Sequence, residues 1–239
     1  GVTQDHVEAA DWFRKSAENG YAEAQYVLAA MYDMGRGVEK DSGEGLKWII
    51  ESANNGYANA QYAVGAMYDK GRRVPQNSHT AVAWYEKAAQ QGYARAQTAL
   101  GAMYIRGRGV LTKDIAQGLR WLNIAANNGY APAQYNLGLL YLTGQHGVEK
   151  NTGKSVNWIN MAVESGYANA RHTLATMYAK GIGVPQNYIQ AYAQCSLAAK
   201  LNVPAAKKDL QAIQKMMTPE QVAEGKKQAE NLLTKKKGS

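Results

Sequence analysis

The stretch NNGYANAQYAVGAMYDKGRRV, residues 54–74, decides the fold because four close copies of it occur elsewhere in the chain. The copies are ENGYAEAQYVLAAMYDMGRGV from residue 18, QQGYARAQTALGAMYIRGRGV from 90, NNGYAPAQYNLGLLYLTGQHGV from 127 and ESGYANARHTLATMYAKGIGV from 164. The glycine of the GYA element lies at Gly20, Gly56, Gly92, Gly129 and Gly166, so the periods are 36, 36, 37 and 37 residues. Repeats of this length bury their apolar faces against neighbouring copies, which predicts a stack without a single central core.

The first half of each copy has the periodicity of a helix. Small, apolar or amide side chains in the second copy follow one another at helical spacing, which predicts a helix of about 13 residues. These positions are Ala58, Gln61, Val64, Gly65 and Tyr68. Gly71 is then expected to adopt the left-handed conformation that ends a helix. Gly65 lies in mid-helix, where glycine costs up to about 1 kcal/mol, so we expect a neighbouring helix to approach it closely.

A second helix is predicted after each copy, because a good N-cap residue precedes it every time. The predicted caps are Asp41, Asn77, Asp114, Asn151 and Asn187. A tryptophan stands eight residues before each GYA glycine, at Trp12, Trp48, Trp84, Trp121 and Trp158. This column repeats with the fold, so it is predicted to belong to the core. Pairs of antiparallel helices joined by short loops give an all-α solenoid.

The two ends of the chain depart from the repeat. GVTQDH at residues 1–6 aligns with GVEKDS at residues 37–42, so the chain is expected to open inside a unit whose first helix precedes it in a longer protein. Near the other end, Gln194 replaces tryptophan, and NVPAAK replaces GYANAQ. Thr218 to Gln221 form a capping box with proline in the first turn, which predicts a final helix with one face toward water.

These residues closely resemble the Sel1-like repeat family, which is related to the tetratricopeptide repeats. The motif A-x-x-x-L-G-x-x-Y-x-x-G-x-G-V-x-x-D, followed by A-x-x-W-Y-x-x-A-A-x-x-G, is similar to residues 60–92, with Val64, Arg73 and Asn77 as mild departures. The resemblance implies a right-handed α-solenoid of about 13 helices. Residues 1–202 would hold the repeats: a half unit at 1–19 and units starting near 20, 56, 92, 129 and 166. Residues 203–239 would hold capping helices and a basic tail.

No catalytic or metal-binding constellation is found in the sequence. The histidines His6, His79, His146 and His172 lie far apart and lack the spacing of metal ligands. Cys195, the only cysteine, is expected to be a buried small side chain, since no histidine lies nearby in sequence to activate it. The loops GRGV and GIGV join two helices, whereas phosphate-binding motifs follow a strand, so helix termination explains their glycines. We therefore predict a protein that is not an enzyme and has no cofactor or metal.

The net charge of +8 is concentrated near the C-terminus. Residues 200–239 carry nine Lys and four Asp or Glu, which accounts for +5 of that charge. An alternative function is therefore binding of a polyanion, a nucleic acid or an acidic glycan. The lysines concerned are Lys207, Lys208, Lys226, Lys227 and those of the terminal KKK. No aromatic residues alternate with these lysines, which disfavours binding of single-stranded nucleic acid.

No apolar run in the sequence is long enough to span a membrane.

Because repeated positions maintain the stack, functional residues are expected at positions that differ between copies. By resemblance to tetratricopeptide geometry, the first helix of each pair would line a concave groove through four positions per repeat. These are Glu23, Tyr26, Ala30, Asp33; Asn59, Tyr62, Ala66, Asp69; Arg95, Thr98, Ala102, Ile105; Pro132, Tyr135, Leu139, Leu142; and Asn169, His172, Thr176, Ala179. Tyrosines and clustered aliphatics are typical binding anchors, and aspartates at two of these positions suggest selection of basic partner residues. The other interpretation is that Tyr26 and Tyr62 only cover neighbouring helices.

The leading functional prediction is an interaction scaffold that holds a peptide or protein partner in this groove. The resemblance implies a role in bacterial envelope functions, host contact or complex assembly, with a periplasmic or secreted location; the cytoplasm is the alternative. A monomer is expected, and no specific nucleic acid partner. A cell-wall hydrolase is the least favoured alternative, because no acid–base pair can be assigned.

Overall fold

The protein is described by a computed structural model that covers residues 5–110 and 112–235. These residues form thirteen α-helices. The helices are α1 His6–Glu18, α2 Ala22–Met34, α3 Ser42–Asn54, α4 Ala58–Lys70, α5 Ser78–Gln90, α6 Ala94–Arg106, α7 Ile115–Asn127, α8 Ala131–Thr143, α9 Thr152–Glu164, α10 Ala168–Lys180, α11 Tyr188–Lys200, α12 Ala206–Gln214 and α13 Pro219–Lys235. A short 3-10 turn, Gln145–Gly147, follows α8. The all-α prediction is confirmed.

The helices alternate between two types. The even-numbered helices from α2 to α10, here called A helices, carry the quoted repeat. The odd-numbered helices from α1 to α11 are here called B helices, and those from α3 onward follow the predicted caps. Each A helix from α2 to α10 is 13 residues long, as the periodicity predicts. The chain divides into two compact units, unit 1 up to Ile124 and unit 2 from Ala125. Four A helices, α2, α4, α8 and α10, each pack most extensively on the B helix that follows.

Helix ends lie where the sequence predicts them. The side chains of Asp41, Asn77 and Asn151 accept hydrogen bonds from backbone N–H groups in the first turn of α3, α5 and α9, at 2.8–3.0 Å. At the other end of α4, Gly71 adopts φ +63°, the left-handed conformation expected of it. These caps satisfy backbone groups that would otherwise lack partners at helix ends, and they fix the length of each helix.

The mid-helix glycines lie at close contacts between A and B helices. A Cβ built on Gly65 would lie 2.8 Å from Cδ1 of Tyr85, and one on Gly138 would lie 2.6 Å from Cδ1 of Ile159. At Gly101 the nearest atom is the carbonyl oxygen of Gly118, also at 2.8 Å. No Cβ fits at these distances, so glycine permits the close packing of the two helices. The expectation drawn from Gly65 is confirmed.

The tryptophan column is less buried than predicted. Trp48 packs partly against the buried cluster of Ala17, Ala24 and Leu28, which belongs to the preceding helices. Trp84 packs in the same way on the cluster that contains Ile49. Trp12 is 64% exposed, since α1 has no preceding helix among the described residues. The assignment of the column to the core is therefore wrong for Trp12, because the preceding helices that cover Trp48 and Trp84 have no counterpart at Trp12 among the described residues.

A ladder of buried glutamines, which sequence analysis did not identify, joins the helix pairs. The Nε2 group of each glutamine donates to the carbonyl oxygen eight residues earlier, at 3.0–3.2 Å, and so satisfies the C-terminal end of a B helix. The ladder consists of Gln25, Gln61, Gln97 and Gln134, each at most 5% exposed. In the fifth copy Arg171 takes this place and donates to Oε1 of Gln194 at 3.0 Å. Gln194 is the residue that replaces tryptophan, so these two departures from the repeat compensate each other.

The C-terminal helices close the stack of unit 2. Oε1 of Gln221 accepts from the N–H of Thr218 at 3.0 Å, and Oγ1 of Thr218 accepts from the N–H of Gln221 at 3.3 Å, which confirms the capping box. α13 packs on α11, where a Cβ built on Gly225 would lie 2.8 Å from Cδ1 of Tyr192. Lys226 and Lys227 are exposed on α13, as expected of a cap that faces water on one side.

Candidate interaction surface

The predicted groove positions lie on the A helices, and together they are here called the A-helix face. Glu23, Arg95 and Asn169 are exposed on this face. The repeat-defining residues of the same helices are buried, with Leu28, Leu100 and Leu137 all at 0% exposure. Glu23, Arg95 and Asn169, which differ between repeats, are therefore accessible, whereas the recurring leucines are packed. In unit 1 the positions named A-helix face lie on α2, α4 and α6, and in unit 2 they lie on α8 and α10.

The tyrosines of the A-helix face also pack against the next repeat. The ring centroids of Tyr26 and Tyr57 are 5.3 Å apart, and Tyr62 lies 5.3 Å from Tyr93 and 5.6 Å from Tyr85. Such aromatic pairs contribute roughly 0.5–1.5 kcal/mol beyond area burial. Burial, followed by the neighbouring tyrosines, raises the pKa of Tyr26. The rings thus cover neighbouring helices, as the second interpretation predicts, yet each remains partly accessible.

The two aspartates of the face are already paired within the chain. Oδ2 of Asp33 lies 2.7 Å from Nη1 of Arg73, and Asp69 forms an ion pair with Arg108. Both arginines come from the loop that follows the next A helix. The prediction that these aspartates select basic partner residues is therefore corrected, because their charges are compensated by the neighbouring repeat.

Ile105 is also not part of an accessible surface. Its side chain is only 1% exposed. The reason is the neighbouring B helix, where Gly118 leaves space for it: a Cβ on Gly118 would lie 2.5 Å from Cγ1 of Ile105. The assignment of Ile105 to the groove is thus wrong in this structure. The glycine facing it was the signal that sequence analysis missed.

In unit 2 the face is more apolar. Tyr135 packs on Tyr167 with 5.1 Å between ring centroids, and its hydroxyl lies 3.3 Å from Oγ1 of Thr173. Leu139 and Leu142 follow Tyr135 along α8 at helical spacing and are partly buried. The structure therefore brings these three predicted residues together on one side of α8.

His172, at the next position of the face, is held by the C-terminal cap. Its Nε2 lies 2.7 Å from Oδ2 of Asp209 on α12. This bond links α10 to α12 beside a pocket of about 270 Å³, here called the α12 pocket. The pocket is lined by Thr176, Ala179, Lys180, Tyr188, Asp209, Ala212, Ile213 and Met216. Two of these, Thr176 and Ala179, are A-helix face positions, so the pocket continues the face where it meets the cap.

The remaining candidate groups are the cysteine and the other three histidines. Among the residues that the structure describes, no group of three His, Cys, Asp or Glu could hold a metal ion. Cys195 is fully buried with its Sγ 3.3 Å from the carbonyl oxygen of Ala206, and burial raises the pKa of its thiol to about 12. His79 and His146 are exposed, and His6 Nε2 lies 3.2 Å from Nε of Arg36.

The lysines of the alternative prediction are divided between two helices. Lys207 and Lys208 are exposed on α12, and Lys226 and Lys227 are exposed on α13. Lys236 and Lys237 lie outside the described residues. Among the described helices, none has the length and apolar character needed to cross a bilayer.

Comparison with known proteins decides the family. The model of the Sel1 repeat matches residues 1–21, 22–57, 58–93, 94–130, 131–167 and 168–203. The chain belongs to the Sel1 repeat family. Sel1 repeat proteins commonly serve as protein-interaction scaffolds and bind protein partners. No curated protein matches this Sel1 repeat chain in sequence.

Several solved structures are similar to this Sel1 repeat protein. A Sel1 repeat protein from Oxalobacter formigenes is 29% identical with a TM-score of 0.75, over 95% of this chain and 97% of that one. A protective antigen of uropathogenic Escherichia coli with an SLR fold is 26% identical with a TM-score of 0.55, over 97% of this chain and 57% of the antigen. An immunity protein from Pseudomonas aeruginosa is 25% identical with a TM-score of 0.55, over 85% and 77% of the two chains. These similarities confirm the solenoid of Sel1 repeats.

Proposed function

We propose that this Sel1 repeat protein is a non-enzymatic scaffold that binds a peptide or a protein partner on its A-helix face. The observation that carries the proposal is the division between accessible and buried positions on the same helices. On α2, Glu23 is exposed next to Ala24, which is 7% exposed, and on α6, Arg95 is exposed next to Ala96, which is 0% exposed. A surface that differs from repeat to repeat on a uniform framework supports recognition of an extended partner.

The chemistry of the face favours contacts through apolar and aromatic side chains. Asp33 and Asp69 are paired with arginines of the same chain, so their charges contribute little to the choice of partner. Leu139 and Leu142 in unit 2 and the accessible edges of Tyr26 and Tyr62 in unit 1 remain as anchors. Aromatic side chains of this kind are enriched among the residues that dominate binding energies.

The similar structures favour a protein partner in bacterial competition or host contact, since they include an immunity protein and a protective antigen. A periplasmic or secreted location stays a prediction, to be checked by fractionation of the source bacterium. The monomeric state also stays a prediction, which light scattering of the purified protein would check.

The proposal is tested by affinity capture from an extract of the source bacterium with three forms of the protein. The face variant carries Ala30→Glu and Leu139→Glu. The matched control carries Ala83→Glu and Asn157→Glu at exposed positions of B helices, so its charge change is similar. We expect to find proteins that the wild type and the control retain but the face variant does not. Proteins retained equally by all three forms would contradict the assignment of the face, provided that circular dichroism shows equal folding.

Enzymatic activity and polyanion binding have separate tests. The purified protein should show no turnover of cell-wall polymers; turnover that persists through further purification would contradict a pure scaffold. Binding of an oligonucleotide through the exposed lysines of α12 and α13 would fall steeply with salt, since each phosphate contact releases counterions.

A further inference from the structure

The α12 pocket has an apolar floor and an accessible edge. Ile213 is 8% exposed and forms the floor, whereas Met216 is 62% exposed and lies at the rim. Ala179 and Ala212 are small, which leaves the pocket about 270 Å³ in volume. Pockets for drug-sized molecules are larger, roughly 300–1,000 Å³. The dimensions therefore suit one or two apolar side chains of a partner.

Three lysines lie in or beside this pocket. Lys180, the last residue of α10, lines the pocket directly. Lys208 on α12 lies four residues before the pocket residue Ala212, and Lys215, which directly follows α12 in helical backbone conformation, lies three residues after it. Both lysines are therefore at helical spacing from the pocket lining. The three lysines are exposed, and none is in an ion pair among the described residues.

One carboxylate faces the same pocket, but it is bound within the chain. Asp209 lines the pocket, and its Oδ2 is 2.7 Å from Nε2 of His172. Three exposed cations against one engaged anion leave the rim with a positive balance. A positive rim attracts acidic groups and orients them before contact.

We infer that the α12 pocket binds a partner segment in which a bulky apolar side chain is flanked by Asp or Glu. The apolar side chain enters between Ala179, Ile213 and Met216, and the flanking carboxylates meet Lys180, Lys208 and Lys215. This inference rests on the proposed function, because the pocket continues the A-helix face. It identifies the α12 pocket as the C-terminal end of the face, and it specifies the chemistry of the partner segment that binds there.

The test uses a random library of 12-residue peptides displayed on phage and selected on the immobilised wild-type protein. Selected peptides are synthesised with a fluorescent label, and their dissociation constants are measured by anisotropy. Each peptide is also made in two altered forms, with Asp and Glu replaced by Asn and Gln, and with the bulky apolar residue replaced by Ser. Both altered peptides are expected to bind less tightly.

Three protein variants locate the binding site. Lys180→Glu with Lys215→Glu should weaken binding about tenfold, because two attractive rim contacts become repulsive. Met216→Glu should weaken it by a similar factor or more. Lys226→Glu with Lys227→Glu, on α13, makes the same charge change away from the pocket and should leave binding within about twofold.

The outcomes separate this inference from the proposed function. The inference would be overturned if the selected peptides lack acidic residues. It would also be overturned if their dissociation constants are unchanged by Lys180→Glu with Lys215→Glu. If the binding of such peptides is lost in the variant that carries Ala30→Glu and Leu139→Glu, the proposed function is supported although the inference is overturned. A failure to select any peptide would overturn the inference alone, because the proposed function also covers folded protein partners and is tested by affinity capture. Binding of a 20-nucleotide DNA that is lost equally in both lysine variants would indicate a polyanion site instead.

Discussion

Gly65 of α4 lies so close to Tyr85 of α5 that a Cβ on the glycine would be 2.8 Å from Cδ1 of the ring. Glycine in a helix is unfavourable by itself, so Gly65→Ala would raise helix propensity by about 1 kcal/mol. We predict a net loss of stability of about 1–3 kcal/mol all the same, because the added methyl group overpacks the contact. Chemical denaturation of the purified protein measures this difference.

Gly153 provides the control for this substitution. It lies near the start of α9, and a Cβ there would meet only Oδ1 of Asn151, at 3.5 Å. Gly153→Ala should therefore leave stability unchanged or raise it by up to about 1 kcal/mol. Equal effects of the two substitutions would contradict the close packing of α4 on α5.

The features that the sequence predicted are those that recur in every copy. Gly71 ends α4, and Asn77 caps α5, because local backbone chemistry determines both. Gly65 revealed a close contact because its cost in a helix requires a compensating gain. Each of these inferences needed only neighbouring residues and the repeat itself.

The features that the sequence did not predict depend on contacts between different repeats. The partners of Asp33 and Asp69 are arginines about 40 residues away, in loops whose direction the sequence does not specify. The glutamines of the ladder were grouped with the apolar face, although burial of an amide requires a hydrogen-bond partner. The α12 pocket lies where the repeat pattern fails, so no column of residues indicated it.

Trp84 and Trp12 should differ in their contribution to stability. Both stand at the same repeat position, and both have a lysine ammonium over the ring, at 4.3 Å from Lys87 and 4.8 Å from Lys15. Trp84 packs on the preceding repeat, whereas Trp12 is 64% exposed. We predict that Trp84→Ala costs about 2–4 kcal/mol and that Trp12→Ala stays within about 0.5 kcal/mol.

Urea denaturation of the two variants checks this difference. The shared cation–π contact makes each variant a control for the other, so a difference reports the packing on the preceding pair. Similar losses in both variants would contradict that account of the tryptophan column.

Arg73 combines a favourable ion pair with an unfavourable backbone conformation. Its φ is +69°, a region that costs non-glycine residues about 1 kcal/mol or more. Arg73→Ala and Arg73→Gly both remove the ion pair with Asp33, but only glycine relieves the backbone. We predict that the glycine variant is more stable than the alanine variant by about 1 kcal/mol. At Arg72, where φ is not positive, the alanine variant should be more stable than the glycine variant. If the glycine variant were the more stable one at both sites, the strain at Arg73 would be contradicted.

The buried thiol of Cys195 should be unreactive in the folded protein. Burial raises its pKa from 9.0 to about 12, so the thiolate is scarce at pH 8. We predict negligible reaction with Ellman's reagent at that pH until denaturant is added. Because the folded state holds the proton more tightly, this group's contribution to stability is present below pH 9 and declines as the pH rises toward 12. Rapid labelling of the folded protein at pH 8 would contradict the burial of Cys195.

Site-specific photo-crosslinking tests most directly whether partners bind the A-helix face. A benzophenone amino acid replaces Glu23 or Leu139 on the face, or Ala83 or Asn157 on exposed B-helix positions. Illumination in the source bacterium is followed by mass spectrometry of the adducts. We expect a shared protein adduct from positions 23 and 139 and none from 83 and 157. Adducts that form equally from all four positions, or only from the B helices, would contradict binding on the A-helix face.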